Sequence, residues 1–90
     1  MAELFQIKLI TPRETVYDGA GLAVTIPAVG GEIQVYPGHI PVLARTVPGT
    51  VKIENPGAPP VTFDVDEGYA RITPNEVHLL VDAVKTDDGK

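Results

Sequence analysis

Nine prolines and nine glycines punctuate this ninety-residue chain, one residue in five, with no fixed period. Proline cannot donate to a helix or a central ladder, and glycine favours sharp turns. The aperiodic spread excludes a collagen-like rod and a flexible linker, and leaves short extended runs joined by turns. The tightest cluster is Gly30-Gly31-Glu32-Ile33-Gln34-Val35-Tyr36-Pro37-Gly38-His39-Ile40-Pro41-Val42-Leu43. Its apolar runs are too short and too interrupted for a helix. They read as strand, turn, strand, with polar groups at the bends.

The runs between turns alternate as half-buried strands do. Phe5, Ile7 and Leu9 fall on one face of Leu4 to Ile10, and Gln6 and Lys8 on the other. Thr11-Pro12-Arg13-Glu14 interrupts the pattern. Thr15-Val16-Tyr17 is a short second strand that Asp18-Gly19 is expected to close as a turn. Gly21 to Ile26 alternates again, with Leu22, Val24 and Ile26 on one face. Ala28-Val29-Gly30-Gly31 then turns the chain into Glu32 to Tyr36.

Ile40 to Thr46 follows Pro37-Gly38, and Pro48-Gly49 leads into Thr50 to Glu54, with Val51 and Ile53 on one face. Asn55-Pro56-Gly57-Ala58-Pro59-Pro60 predicts a stiff hairpin tip. Val61, Phe63 and Val65 then oppose Thr62, Asp64 and Asp66. Gly68 to Ile72 is another strand, and Thr73-Pro74-Asn75-Glu76 another turn. Val77 to Val84 fits both a strand and a helical stripe, and its valine content favours a strand. Strands at a spacing of about 8–12 residues predict an all-β sandwich or barrel. A single domain is expected over residues 1–84, with residues 85–90 a frayed polar tail.

The net charge of −5, with seven Lys and Arg, excludes phosphate-driven nucleic-acid binding. No apolar run approaches the roughly 18 residues a membrane-spanning helix needs. The N-terminus lacks the basic start and apolar stretch of a secretory signal. Without cysteine there is no disulfide framework and no thiol site.

Enzyme signals are thin. Neither Ser nor Cys occurs, which excludes the two commonest nucleophiles. Gly30-Gly31 lacks the Lys-Ser/Thr partner of a phosphate loop. His39, His78 and Glu32 are the one set with metal-ligating side chains that could converge in a β-barrel. Each histidine stands alone, however, and the plainer reading has His39 capping a turn and His78 on the solvent face of the last strand. Glu32 is either a solvated turn carboxylate or a partner contact on an open bend. Ile40, Val42 and Leu43 read as core strand or as mixed core and interface. Asp64, Asp66 and Glu67 read as a solvated acidic face. A peptide- or carbohydrate-binding sandwich would need a groove of exposed aromatics, and the two phenylalanines already fall on core faces.

From about Phe5 to Val84 the chain resembles the N-terminal domain of the epsilon subunit of F-type ATP synthases, called delta in mitochondria. The anchors are Val16-Tyr17-Asp18-Gly19, the long stretch from Gly31 to Leu43, Pro48-Gly49-Thr50-Val51 and Glu67-Gly68-Tyr69-Ala70-Arg71-Ile72. Gly31-Glu32, then Tyr36-Pro37-Gly38-His39, then Pro41 and Leu43, all in register, make the central motif specific. Val77 to Ala83 is similar to the family's closing strand. Glu67-Gly68 stands where the family often has two glycines, and Asn55 to Pro60 replaces a more polar hairpin.

The resemblance implies a flattened antiparallel β-sandwich of about ten short strands. It implies a non-catalytic rotor part joining the gamma subunit to the membrane c-ring, without a cofactor. Such a part would lie peripheral to the membrane, on the cytoplasmic face of a bacterial inner membrane or its organelle equivalent. By matching position, Gly30, Gly31 and Glu32 are expected to meet the ring loops. Thr11, His39, Ile40, Pro41, Val42 and Leu43 are expected to face gamma. The family's C-terminal helical hairpin would begin where this chain stops, at Lys90, so no nucleotide site is carried over. A folded chain of this mass has roughly 5,000 Å² of surface. Two patches of about 800 Å² each would cover near a third of it, so exposed apolar residues are expected.

Overall fold

Cross-strand pairing decides which of the alternating runs become strands, and it runs through the whole chain. The computed structural model describes residues 4–38 and 40–87. Ten strands follow in chain order: β1 (Phe5–Ile10), β2 (Thr15–Gly21), β3 (Ala23–Ala28), β4 (Gly31–Val35) and β5 (Val42–Thr46). Then come β6 (Gly49–Glu54), β7 (Val61–Val65), β8 (Gly68–Ile72), β9 (Glu76–Val81) and β10 (Val84–Asp87). The described residues contain no helix.

The hydrogen-bonded path is β10-β7-β6-β3-β5-β8-β9-β1-β2, with β4 added to β3. It folds over where β3 meets β5 through the single pair Ala28 and Thr46. One layer is then β5-β8-β9-β1-β2, and the other is β4-β3-β6-β7-β10. The expected all-β sandwich is the observed fold, flattened to extents of 34 × 29 × 22 Å. Its pairings are antiparallel except for β1 beside β9, which run parallel.

Alternation explains the core. Phe5, Ile7 and Leu9 of β1 and Val77, Leu79 and Val81 of β9 are all buried. Val24 and Ile26 of β3, Val51 and Ile53 of β6, and Phe63 and Val65 of β7 meet them from the facing layer. Tyr17 of β2 crosses the gap to Phe63, with ring centroids 6.0 Å apart in an edge-on arrangement at 67°. Each fully buried aliphatic side chain contributes about 1.5–3 kcal/mol relative to exposure. The two layers therefore lock into a stiff body.

Local expectations fail where a neighbouring strand overrides them. Asp18-Gly19 is no turn: both residues lie inside β2, opposite Lys8 and Ile7 of β1. The Asp18 carboxylate accepts a hydrogen bond from the Gln6 amide of β1. Cross-strand bonding thus keeps extended a pair that favours turning in isolation. The chain bends at Leu22 instead, where the Leu22 N–H donates to the Glu54 carbonyl oxygen at 2.8 Å. Leu22 therefore leaves the face of Val24 and Ile26.

The segment from Val77 resolves as a strand, in two pieces. Residues 85–87 do not fray: β10 pairs antiparallel with β7, and Lys85 reaches Asp66 at 3.6 Å. The open edge of β7 offers backbone groups that a polar strand satisfies as well as an apolar one. Of the tail expected over residues 85–90, residues 85–87 are strand, and residues 88–90 lie outside the described ones.

Candidate partner-contact surface

Two Thr-Pro-x-Glu turns lie at opposite ends of the parallel β1–β9 pair. In Thr11-Pro12-Arg13-Glu14, the Thr11 N–H donates to the Glu14 carbonyl at 2.9 Å. The Thr11 hydroxyl accepts from the N–H groups of Arg13 and Glu14, both at 3.2 Å. Thr73-Pro74-Asn75-Glu76 repeats the arrangement, with the Glu76 N–H donating to the Thr73 hydroxyl at 3.1 Å. Pro fixes the second position of each turn, and the threonine side chain ties its ends. Pro74 also anchors the following stretch, because its carbonyl accepts from the Gly38 N–H at 2.9 Å.

Gly30, Gly31 and Glu32 form the tip of the β3–β4 hairpin, where Ala28 pairs with Gly31 and Pro27 with Glu32. Gly30 has φ +92° and Gly31 φ +133°, regions that favour glycine. A Cβ at either would meet nothing within 4 Å. The tip is therefore open, as expected. Val29 beside it is 66% exposed. Glu32 is exposed and makes no ion pair among the described residues.

Ile40 and Leu43 are 71% and 70% exposed, and Pro41 is exposed too. Val42 points the other way and packs against the core. It lies on the inner face of β5 because successive residues alternate. His39 lies outside the described residues.

The structure joins Leu43 to Thr11 through two ladder rows on the outer face of the β5-β8-β9-β1-β2 layer. One row runs Leu43, Arg71, His78, Lys8, Asp18. The next runs Arg45, Tyr69, Leu80, Ile10, Thr15. Tyr69 and Leu80 are half exposed and, with Ile10, Thr11 and Pro12, line an apolar groove of about 340 Å³. A second hollow, about 180 Å³, runs from Tyr69 past Arg45 to Val29 at the hairpin. Sequence reasoning missed Tyr69 and Leu80 as surface residues. The signal for Leu80 was present: in a strand it is out of phase with Val77, Leu79 and Val81.

The metal set does not assemble among the described residues. His78 sits mid-layer on β9 and contacts Glu76 at 3.0 Å, whereas Glu32 lies on β4 of the other layer. No group of three potential ligands occurs among the described residues. Of the acidic face, Asp66 pairs with Lys85, and Asp64 accepts from the Thr50 hydroxyl at 3.5 Å. The aromatics do not converge on one groove: Phe5 and Phe63 are buried, Tyr17 meets Phe63 edge-on, and Tyr69 alone of them lines the apolar groove.

The family model for the ATP synthase delta/epsilon chain beta-sandwich domain matches residues 4–87. The chain belongs to that delta/epsilon family. ATP synthase epsilon chain 2 of Ralstonia nicotianae is 38% identical over 86 residues, covering 94% of this chain and 62% of that protein. The ATP synthase epsilon chain of Nitrosomonas eutropha is 32% identical over 89 residues, covering 98% and 64%. The chain thus spans under two-thirds of the length of these epsilon chains. A chain of the Euglena gracilis mitochondrial ATP synthase, solved as an OSCP/F1/c-ring assembly, superposes with TM-score 0.85. That match has 20% identity and covers 91% of this chain and 52% of the other. It shows that the fold is shared.

Proposed function

We propose that this delta/epsilon sandwich is a non-catalytic rotor part that couples the gamma subunit of an ATP synthase to the membrane c-ring. The family match across residues 4–87 carries the reading. Two features support it. The Gly30-Gly31-Glu32 tip presents an unpaired carboxylate on a bend with no steric cover, suited to arginine-bearing polar loops. The exposed Leu43 lies on the outer face that leads across the ladder rows to Thr11, and Ile40 just before β5 is exposed as well, an apolar surface of the kind that marks protein contacts.

In this reading Gly30, Gly31 and Glu32 meet the ring. Thr11, His39, Ile40, Pro41 and Leu43 meet gamma, with Val42 supporting them from beneath. The part makes and breaks no bonds, and its closed two-layer core transmits torque with little deformation. It would lie peripheral to the membrane, on the cytoplasmic side of a bacterial inner membrane or the equivalent side in an organelle.

Co-purification with gamma and with solubilised c-ring tests this. Retention on both is expected. Binding to neither would overturn the reading.

A further inference from the structure

The cations of this acidic chain are unevenly shared between its two layers. On the β4-β3-β6-β7-β10 layer, Lys52 pairs with Glu54 at 3.8 Å and Lys85 with Asp66 at 3.6 Å. On the outer face of the other layer, Lys8, Arg45 and Arg71 have no carboxylate within ion-pair distance among the described residues. Asp18, directly opposite Lys8, is bonded to Gln6. Arg71 faces His78 across the ladder, and Lys8 flanks His78 on its other side. This face, which also carries Asp18 and Glu76, thus holds three cations without a carboxylate partner, whereas Lys52 and Lys85 of the other layer are paired.

The same face carries the apolar residues. Arg45 stands opposite Tyr69, and Arg71 opposite Leu43. The groove beside Tyr69 and Leu80 is open and mainly apolar, about 340 Å³ in volume, with Asp82 at the side away from Arg71 as its one carboxylate residue. Arg and Tyr beside a desolvated apolar pocket are the residue types that anchor protein interfaces. Opposite charge on the partner steers encounter and fixes register.

We propose that this face docks a gamma segment of acidic, apolar chemistry. One large apolar side chain enters the groove between Pro12 and Leu80, and flanking carboxylates meet Arg45 and Arg71. The proposal rests on the reading that this layer faces gamma, and adds the charge of the partner and the residues that select it. It extends the contact from the Ile40 to Leu43 edge across β8 and β9 to the Thr11 turn.

The test measures the dissociation constant of the full chain for purified gamma at 50 and 300 mM salt. Surface charge pairs weaken with salt because the screening length falls below about 10 Å in this range. The parent chain is expected to lose at least threefold in affinity between the two salts. Arg71→Glu is expected to weaken binding at least tenfold at low salt, and much less at high salt. Leu80→Ser is expected to weaken it at least tenfold at both. Lys52→Glu, an equal charge change on the other layer, is expected to stay within twofold. All three positions are solvent-facing, so thermal melts should show folded variants. If gamma binds but Arg71→Glu and Leu80→Ser match the parent, the proposal is wrong while the rotor reading stands. The same holds if Lys52→Glu weakens binding as much as Arg71→Glu. If the parent chain does not bind gamma at all, the rotor reading fails and the proposal with it.

Discussion

Gly68 on β8 and Leu80 on β9 approach so closely that a Cβ on Gly68 would fall 2.0 Å from the Leu80 carbonyl oxygen. The next clash is with backbone as well, the Val81 Cα at 2.7 Å. Backbone cannot swing aside as the end of a flexible side chain can. Gly68→Ala is therefore expected to push β8 from β9 and cost about 3 kcal/mol, lowering the melting midpoint by roughly 10–20 °C. Thermal denaturation followed by circular dichroism reads this. A midpoint within about 3 °C of the parent would mean the two strands are not held at this spacing.

Leu79 and Leu80 are neighbours of opposite fate. Leu79 is fully buried and Leu80 is 47% exposed. Leu79→Ala is expected to cost about 2–5 kcal/mol through lost burial and a residual cavity. Leu80→Ser is expected to change stability by about 0.5 kcal/mol or less, as surface substitutions do. Urea titration of both variants checks the pair, and similar midpoints for the two would contradict the assigned strand phase.

The twin turns separate a structural role from a contact role. Each threonine hydroxyl ties its own turn, Thr11 to Glu14 and Thr73 to Glu76. Thr11→Ala and Thr73→Ala are each expected to cost about 1 kcal/mol, the usual net worth of such bonds. Thr11 lines the proposed gamma groove and Thr73 lies beside Pro41, Leu43 and Arg71, so both substitutions should also weaken gamma binding. Unchanged binding for Thr11→Ala would show that Thr11 acts through the fold alone.

At the hairpin tip, conformation and charge can be tested apart. Gly30→Ala retains an open site but strains a positive φ, with an expected cost of about 1–2 kcal/mol. Glu32→Gln is expected to leave stability within about 0.5 kcal/mol. It should weaken association with solubilised c-ring about tenfold, the scale of one charge-assisted bond. Unchanged ring affinity for Glu32→Gln would remove Glu32 from the contact.

Thr46 sits where the layers join, paired with Ala28 of β3 and Gly68 of β8. Its buried hydroxyl has no hydrogen-bond partner among the described residues. An unsatisfied buried hydroxyl costs about 1–3 kcal/mol, so Thr46→Val is expected to stabilise the fold by about 1 kcal/mol. A less stable variant would reveal a hydrogen bond to that hydroxyl in solution.

Alternation made the strands and their inward faces readable. Phe5, Ile7 and Leu9 repeat at the period of a pleated strand, and burial follows that period without help from distant residues. The Asn55 to Pro60 hairpin and the Thr73 to Glu76 turn are equally local, because proline and the threonine hydroxyl act within four residues. The open Gly30-Gly31 bend was readable for the same reason. The partner face was half readable. Ile40 and Leu43 stood out by sequence, whereas Tyr69 and Leu80 looked like ordinary strand residues until the ladder set them beside Arg45 and Ile10.

What the sequence by itself determined is therefore periodic and local: an all-β chain, its core faces, most of its turns and the family motif from Gly31 to Leu43. The tertiary structure decided the rest. It kept Asp18-Gly19 extended by pairing them with β1, and drew residues 85–87 into β10 on the edge of β7. It set β1 parallel to β9, some seventy positions along the chain, and so lined up Lys8, His78 and Arg71 in one row. The physical reason is that strand pairing satisfies backbone groups without regard to separation along the chain. A strand's own residues specify its faces, and only the assembled sheet specifies its neighbours.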